Sequence, residues 1–200
     1  MRIAKIALPI TAAVMMAGTG AMAQSAGDWT VGVGFGYVQP KDDNGLLAGA
    51  ATTIDENTQL TLTAEYFIRD NLGIEILAAT PFEHTATIAG VGTATTKHLP
   101  PTISLNYHFA NSSKVTPFVG VGINYTTFFD TTSALGTVKM EDSFGLALHA
   151  GLDYAVSANG AIRADIRWID IDTEVKLNGA PIGTAEIDPV VLGVSYVHRF

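Results

Sequence analysis

The 200-residue chain contains no cysteine. That absence excludes a disulfide framework, a cysteine-ligated zinc site and a thiol nucleophile. Charge is scarce as well: 15% of residues are Asp, Glu, Lys or Arg, against roughly 25% in an ordinary soluble domain. Positive charge is scarcest, with 11 Lys and Arg against 19 Asp and Glu and a net charge of −8. A phosphate backbone demands the opposite balance, which excludes nucleic acid as a partner. Beyond residue 23 the sequence also lacks any apolar run near the ~18 residues of a transmembrane helix. Yet 48% of the chain is hydrophobic. Such a chain must place its apolar surface through strands, in a β-sandwich core or in a closed barrel facing lipid.

What is present begins with an export signal. Arg2 and Lys5 precede an apolar stretch at 6–18, and Ala21-Met22-Ala23 has the small-x-small form of a cleavage site. Residues 1–23 therefore read as a secretory signal peptide, leaving 24–200 as one barrel domain. Within 24–200 the apolar residues recur with period two, the spacing of a pleated strand. Trp29, Val31, Val33, Phe35 and Tyr37 share one face; Leu60, Leu62, Ala64, Tyr66 and Ile68 share the next. Similar alternation marks 72–79, 98–109, 115–126, 143–156, 162–168 and 190–197. The eight stretches are joined by short segments at 69–71, 110–114 and 157–160, and by long ones at 40–57, 81–97, 130–142 and 173–187. Short and long connections in alternation predict an all-β, eight-stranded antiparallel transmembrane barrel. Its short turns are periplasmic, its long loops are extracellular, and both termini lie on the periplasmic side.

The aromatic residues test this arrangement separately. On the apolar faces, Trp29, Tyr66, Tyr107, Phe109, Tyr154, Tyr196 and Phe200 fall at the periplasmic ends of the strands. Tyr37, Tyr125, Phe129, Phe144 and Trp168 fall at the extracellular ends. Two girdles are expected at the two faces of a membrane and not of a sandwich. The terminal Phe200, on the face of Leu192, Val194 and Tyr196, is similar to the signal read by the barrel assembly machinery. His198 stands where that signal carries an apolar or aromatic residue.

Particular segments carry a family resemblance. They are Asp70-Asn-Leu-Gly-Ile-Glu-Ile-Leu-Ala-Ala-Thr-Pro-Phe82, His98-Leu-Pro-Pro-Thr102 and Pro117-Phe-Val-Gly-Val-Gly-Ile-Asn-Tyr-Thr-Thr-Phe-Phe-Asp130. Shorter ones are Asn57-Thr-Gln-Leu60, Asp142-Ser-Phe-Gly145, Asp170-Ile-Asp-Thr173 and Asp188-Pro189. In this order and over nearly the whole of 24–200, the chain resembles the OmpW family of small outer-membrane barrels. The resemblance implies a narrow, largely apolar channel in a Gram-negative outer membrane and passive uptake of small hydrophobic molecules. It equally implies the family's other roles, as phage or bacteriocin receptors and in stress responses, so a recognition or adhesive barrel without transport stands as the alternative. The expected partners are outer-membrane lipids, lipopolysaccharide and a small hydrophobic ligand, and the barrel is expected to be monomeric.

Three groups of residues bear on function. Glu65, Glu75, Asp153, Arg163, Asp165, Arg167, Arg199 and His149 point inward on the pleat. Eight strands leave an interior just wide enough for side chains, so these charges are expected to pair as a floor or, alternatively, to conduct ions. Phe67, Leu77, Phe118 and Phe128 also point inward and are expected either to line an apolar upper chamber or simply to fill space. Leu46, Leu47 and Leu135 make the extracellular loops apolar, as a funnel for ligand or as segments folded back on the barrel. Pro100 and Pro101 lack two ladder donors; they mark a plain strand start or, in this family, a lateral opening into the bilayer.

No catalytic group emerges. His149 and Asp153 are four residues apart on one strand, about 13 Å, too far for a dyad. Gly32-Val-Gly-Phe-Gly36 has the wrong spacing for a dinucleotide loop and is followed by no helix. Asp170 and Asp172 offer a calcium ion too few ligands, and the five histidines are scattered in sequence. The expectation is a barrel without catalytic activity, cofactor or bound metal.

Overall fold

A computed structural model describes residues 24–200; the expected signal peptide lies outside the described residues. The chain forms β1 (Trp29–Gln39), β2 (Leu46–Leu47), β3 (Ala50–Ile54), β4 (Asn57–Arg69) and β5 (Leu72–Ala79). It continues through β6 (Phe82–Ile88), β7 (Gly92–Leu99), β8 (Thr102–His108), β9 (Val115–Ser133) and β10 (Val138–Met140). It ends with β11 (Ser143–Ala155), β12 (Gly160–Ile169), β13 (Asp172–Leu177), β14 (Ala180–Glu186) and β15 (Val190–Arg199). Eight of these close a ring in the order β1-β4-β5-β8-β9-β11-β12-β15, every neighbour antiparallel. The closing seam runs from Thr30 opposite Arg199 to Gln39 opposite Val190. Closure pairs the backbone groups that lipid would leave unsatisfied.

The period-two pattern decides which way each side chain points. On β8, buried Thr102, Ser104, Asn106 and His108 alternate with exposed Ile103, Leu105 and Tyr107. Much of the barrel wall follows this inverted rule: Phe35, Leu62, Leu148 and Val194 are exposed while Glu65, Glu75, Arg163 and Arg167 are buried, with Phe67 and Phe118 among the apolar residues that turn inward. In water that arrangement would be costly on both counts; with hydrocarbon outside, both assignments are favourable. The aromatic girdles lie outward, and Trp29 packs on its cross-strand partner Tyr66 with ring centroids 4.9 Å apart.

The narrow lumen needs glycine where a bulky neighbour turns inward. Gly151 on β11 faces Phe118 on β9; a Cβ there would lie 2.6 Å from the Phe118 ring and 2.8 Å from the Ala164 carbonyl. The carbonyl belongs to the wall and cannot yield. Gly151→Val is therefore expected to destabilise the barrel by about 1–3 kcal/mol, as overpacked cores do. Denaturant titration of the barrel in lipid vesicles checks this; an unchanged midpoint would place Phe118 elsewhere.

The long connections depart from the expectation of loops. β2, β3, β6, β7, β10, β13, β14 and the upper part of β9 all lie within them or extend from them. β3, β6 and β7 form a sheet on the upper end of β9, and β10, β13 and β14 form another opposite it. The Ala48 N–H donates to the Ile182 carbonyl at 2.7 Å and joins the two. Local chemistry accounts for the strands. Thr85, Thr87, Thr93, Thr95 and Thr96 are β-branched. Asn178-Gly179 links β13 to β14 with positive φ at both residues (51° and 85°), the two-residue turn that suits a twisted hairpin. The stretch read as one strand over 98–109 is two, broken at Pro100-Pro101.

Candidate functional site

Inside the lower barrel the inward charges form one network. Glu65 and Glu75 are direct cross-strand partners, an unfavourable juxtaposition of like charges by itself. Two arginines on β12, across the lumen, offset it. Arg163 Nε and Nη2 donate to both oxygens of Asp153 at 2.7 and 2.9 Å, and Nη1 donates to Glu75 at 2.8 Å. Its Nη2 also lies 3.5 Å from Glu65. Arg167 Nη2 donates to the other Glu75 oxygen at 2.8 Å, and Nη1 to Ser104 Oγ at 3.2 Å. His149 Nε2 donates to Asp165 at 3.1 Å, and its Nδ1 lies 3.2 Å from Arg167 Nη2. His108 Nε2 donates to Glu65 at 3.0 Å while its Nδ1 accepts from Gln24 at 3.2 Å. The network thus spans strands from both halves of the chain. Arg199 stands apart from it, near Asp28 at 3.8 Å.

Phe67 and Phe118 belong to this floor rather than to an apolar chamber above it. Their rings lie 5.2 and 5.1 Å from His108. Phe118 also meets His149 edge-on at 4.8 Å and covers the Arg163 guanidinium at 4.4 Å. Inward direction alone does not separate them from Phe128; position along the strand does, since on β9 Phe118 is three residues past Val115 and Phe128 thirteen. Leu77 sits between levels. It lines a void of about 30 Å³ with Thr61, Thr63 and Val191, beside Glu75 and Arg167.

Above the barrel the two extracellular sheets enclose a cavity of about 40 Å³. Phe128, Leu47 and Leu135 line it, together with Ile54, Ile88, Met140, Val175 and Ile182. Leu46 faces outward and is exposed. The length of 173–187 predicts a loop and hides the β13–β14 residues from a sequence reading, although Asn178-Gly179 marks the hairpin. Two histidines also line the cavity: His84 on β6 and His98 on β7, stacked 5.0 Å apart. Burial pushes His98 down to about 3 and lowers His84 as well. Four of the five histidines, scattered in sequence, thus group by level, two in the chamber and two in the floor; His198 lies apart, between Tyr196 and Phe200.

The prolines open one side of a seam. β5 pairs with β8 only as far as Leu77 opposite Thr102, and β6 pairs with β7 from Phe82 opposite His98. Residues 78–81 and 99–101 lie between these two ladders, outside both. On its other side the break is held, since Pro101 O accepts from Tyr125 N and Asn124 Nδ2, both at 3.1 Å. At the rim, Asp172 joins Asp170 and Asp188 within 4.8 Å, and Lys41 donates to Asp188 at 2.9 Å.

Such a closed eight-stranded ring, girdled and inverted in polarity, can be compared with known barrels. The OmpW family profile matches residues 25–200. The chain belongs to the OmpW family. Outer membrane protein W of Escherichia coli is 36% identical over 210 residues, covering 98% of this chain and 99% of that protein. Outer membrane protein AlkL of Ectopseudomonas oleovorans is 30% identical, covering 86% and 82%. The crystal structure of outer membrane protein OprG from Pseudomonas aeruginosa matches with a TM-score of 0.78 at 32% identity, over 90% of this chain and 99% of that one. This OmpW-family chain is an outer-membrane barrel, and its exposed apolar belt sits in that bilayer.

Proposed function

We infer that the barrel admits small hydrophobic molecules by passive partition. The observation that carries this reading is an apolar cavity directly above a lumen filled by paired charges. A ligand entering among the extracellular sheets loses its water against Phe128, Leu135 and Met140. The axial route then meets buried ions, whose company is costly to a dry apolar solute. The unpaired seam beside Pro100 and Pro101 offers a sideways route into the bilayer, past Leu77. Lipopolysaccharide makes the outer leaflet a barrier to apolar solutes, so such a bypass has a use.

Leu77→Asp tests the route. A carboxylate at the level of the seam is expected to lower uptake of a hydrophobic solute severalfold in cells with matched barrel levels, while leaving the barrel folded. Growth on, or accumulation of, that solute is the readout. Uptake that is equal with wild type, with the variant and without the barrel would favour a recognition role instead. Faster uptake in the variant would make Leu77 a plug and overturn the route.

A further inference from the structure

The chamber contains polar atoms that its apolar lining does not satisfy. His84 Nδ1 lies 2.6 Å from the Asp55 carbonyl oxygen. A carbonyl only accepts, so Nδ1 carries the hydrogen, and Nε2 of the neutral ring is a bare acceptor. That Nε2 is buried without a hydrogen-bond partner among the described residues. His98 is 1% exposed, and both its ring nitrogens are buried and unpartnered. Its ring lies among Phe82, His84 and Phe128, with centroids 5.5, 5.0 and 5.8 Å away. Buried polar atoms are ordinarily paired, and each orphan costs free energy. A position flanked by two phenylalanines would be filled more favourably by a third.

The arrangement selects a kind of polar group. With both rings kept neutral by burial, the pair offers one N–H and two lone pairs and no charge. An ionic group would be desolvated without a counter-charge. A pure hydrocarbon would leave all three atoms orphaned, and an ester or ketone oxygen, which only accepts, would leave both lone pairs orphaned. A hydroxyl both donates, as the bare His84 Nε2 requires, and accepts, as the His98 N–H requires. We propose, resting on the reading of the chamber as a ligand site, that His84 and His98 bind the hydroxyl of a small aliphatic alcohol or phenol. The apolar part of that ligand packs against Phe128, Leu135 and Met140.

The test uses the full barrel in lipid nanodiscs with two near-isosteric probes, 1-hexanol and heptane. Binding is followed by NMR at the chamber methyl groups and histidine rings, and corrected for partition into empty nanodiscs. The expected preference for 1-hexanol is about tenfold, the scale of one or two buried hydrogen bonds. His98→Phe breaks no observed hydrogen bond and keeps the ring stack. It should fold and lose most of the preference for 1-hexanol over heptane. Adding His84→Phe should abolish the remainder. Equal binding of the two probes by wild type, or a preference that survives both variants, would overturn the hydroxyl site while leaving the apolar chamber standing. Binding of neither probe would overturn both.

Discussion

Replacing Glu75 by leucine is expected to destabilise the barrel by about 3–5 kcal/mol, the cost of stranding a buried charge. The expectation follows from who loses a partner. Arg163 retains Asp153 in a two-pronged pair and has Glu65 at 3.5 Å. Among the described residues Arg167 retains only Ser104 and the ring of His149, at 3.2 Å each, neither a carboxylate. Arg167→Met should therefore cost less, because Glu75 keeps its 2.8 Å bond from Arg163. The double variant Glu75→Leu/Arg167→Met should be more stable than Glu75→Leu alone, since it removes the stranded cation together with its partner. Unfolding by denaturant in lipid vesicles ranks the three. A double variant as unstable as the sum of the singles would mean that the two groups act independently.

Arginine at Leu62 should cost about 2–4 kcal/mol, whereas arginine at Ile68 should cost about 1 kcal/mol or less, because the penalty falls from bilayer midplane to interface. Both side chains are exposed on the outer face of β4. Leu62 lies opposite Val33, midway along β1 between Trp29 and Tyr37. Ile68 lies beyond Tyr66 of the periplasmic girdle. The same vesicle assay measures both. If Ile68→Arg proves the costlier substitution, the depth assigned to the whole wall is wrong. If Leu62→Arg is harmless, Leu62 faces the lumen and the register is shifted by one residue throughout.

The wall was legible in sequence because a strand reports its own facing. Leu60, Leu62 and Tyr66 needed no knowledge of their neighbours to point outward together, since the pleat alternates wherever the chain is extended. The girdles were legible for a related reason: depth along a single strand is a count of residues from its end. The extracellular sheets were less so. Their Thr-rich alternation and Asn178-Gly179 were present to be read, but the lengths of 81–97 and 173–187 favoured loops.

Composition and periodicity alone determined an eight-stranded barrel over 24–200, with charges inward and apolar residues toward lipid, and the OmpW motifs placed it in a family. The partners of each inward residue were decided only by closure. Arg163 and Arg167 reach Glu75 across the lumen from 88 and 92 residues away, and no local pattern encodes that distance. Phe118 and Phe128 both point inward from β9, ten residues apart, and only closure put the ions at the level of the first and the chamber at the level of the second. The two prolines declared missing donors, but the register of β8 against β5 and β9 chose which side of the break stayed unpaired. His84 and His98 became a pair for the same reason: the β6–β7 hairpin sets Phe82 opposite His98 and His84 opposite Thr96, and the diagonal contact of the two rings is a property of that register, not of either residue.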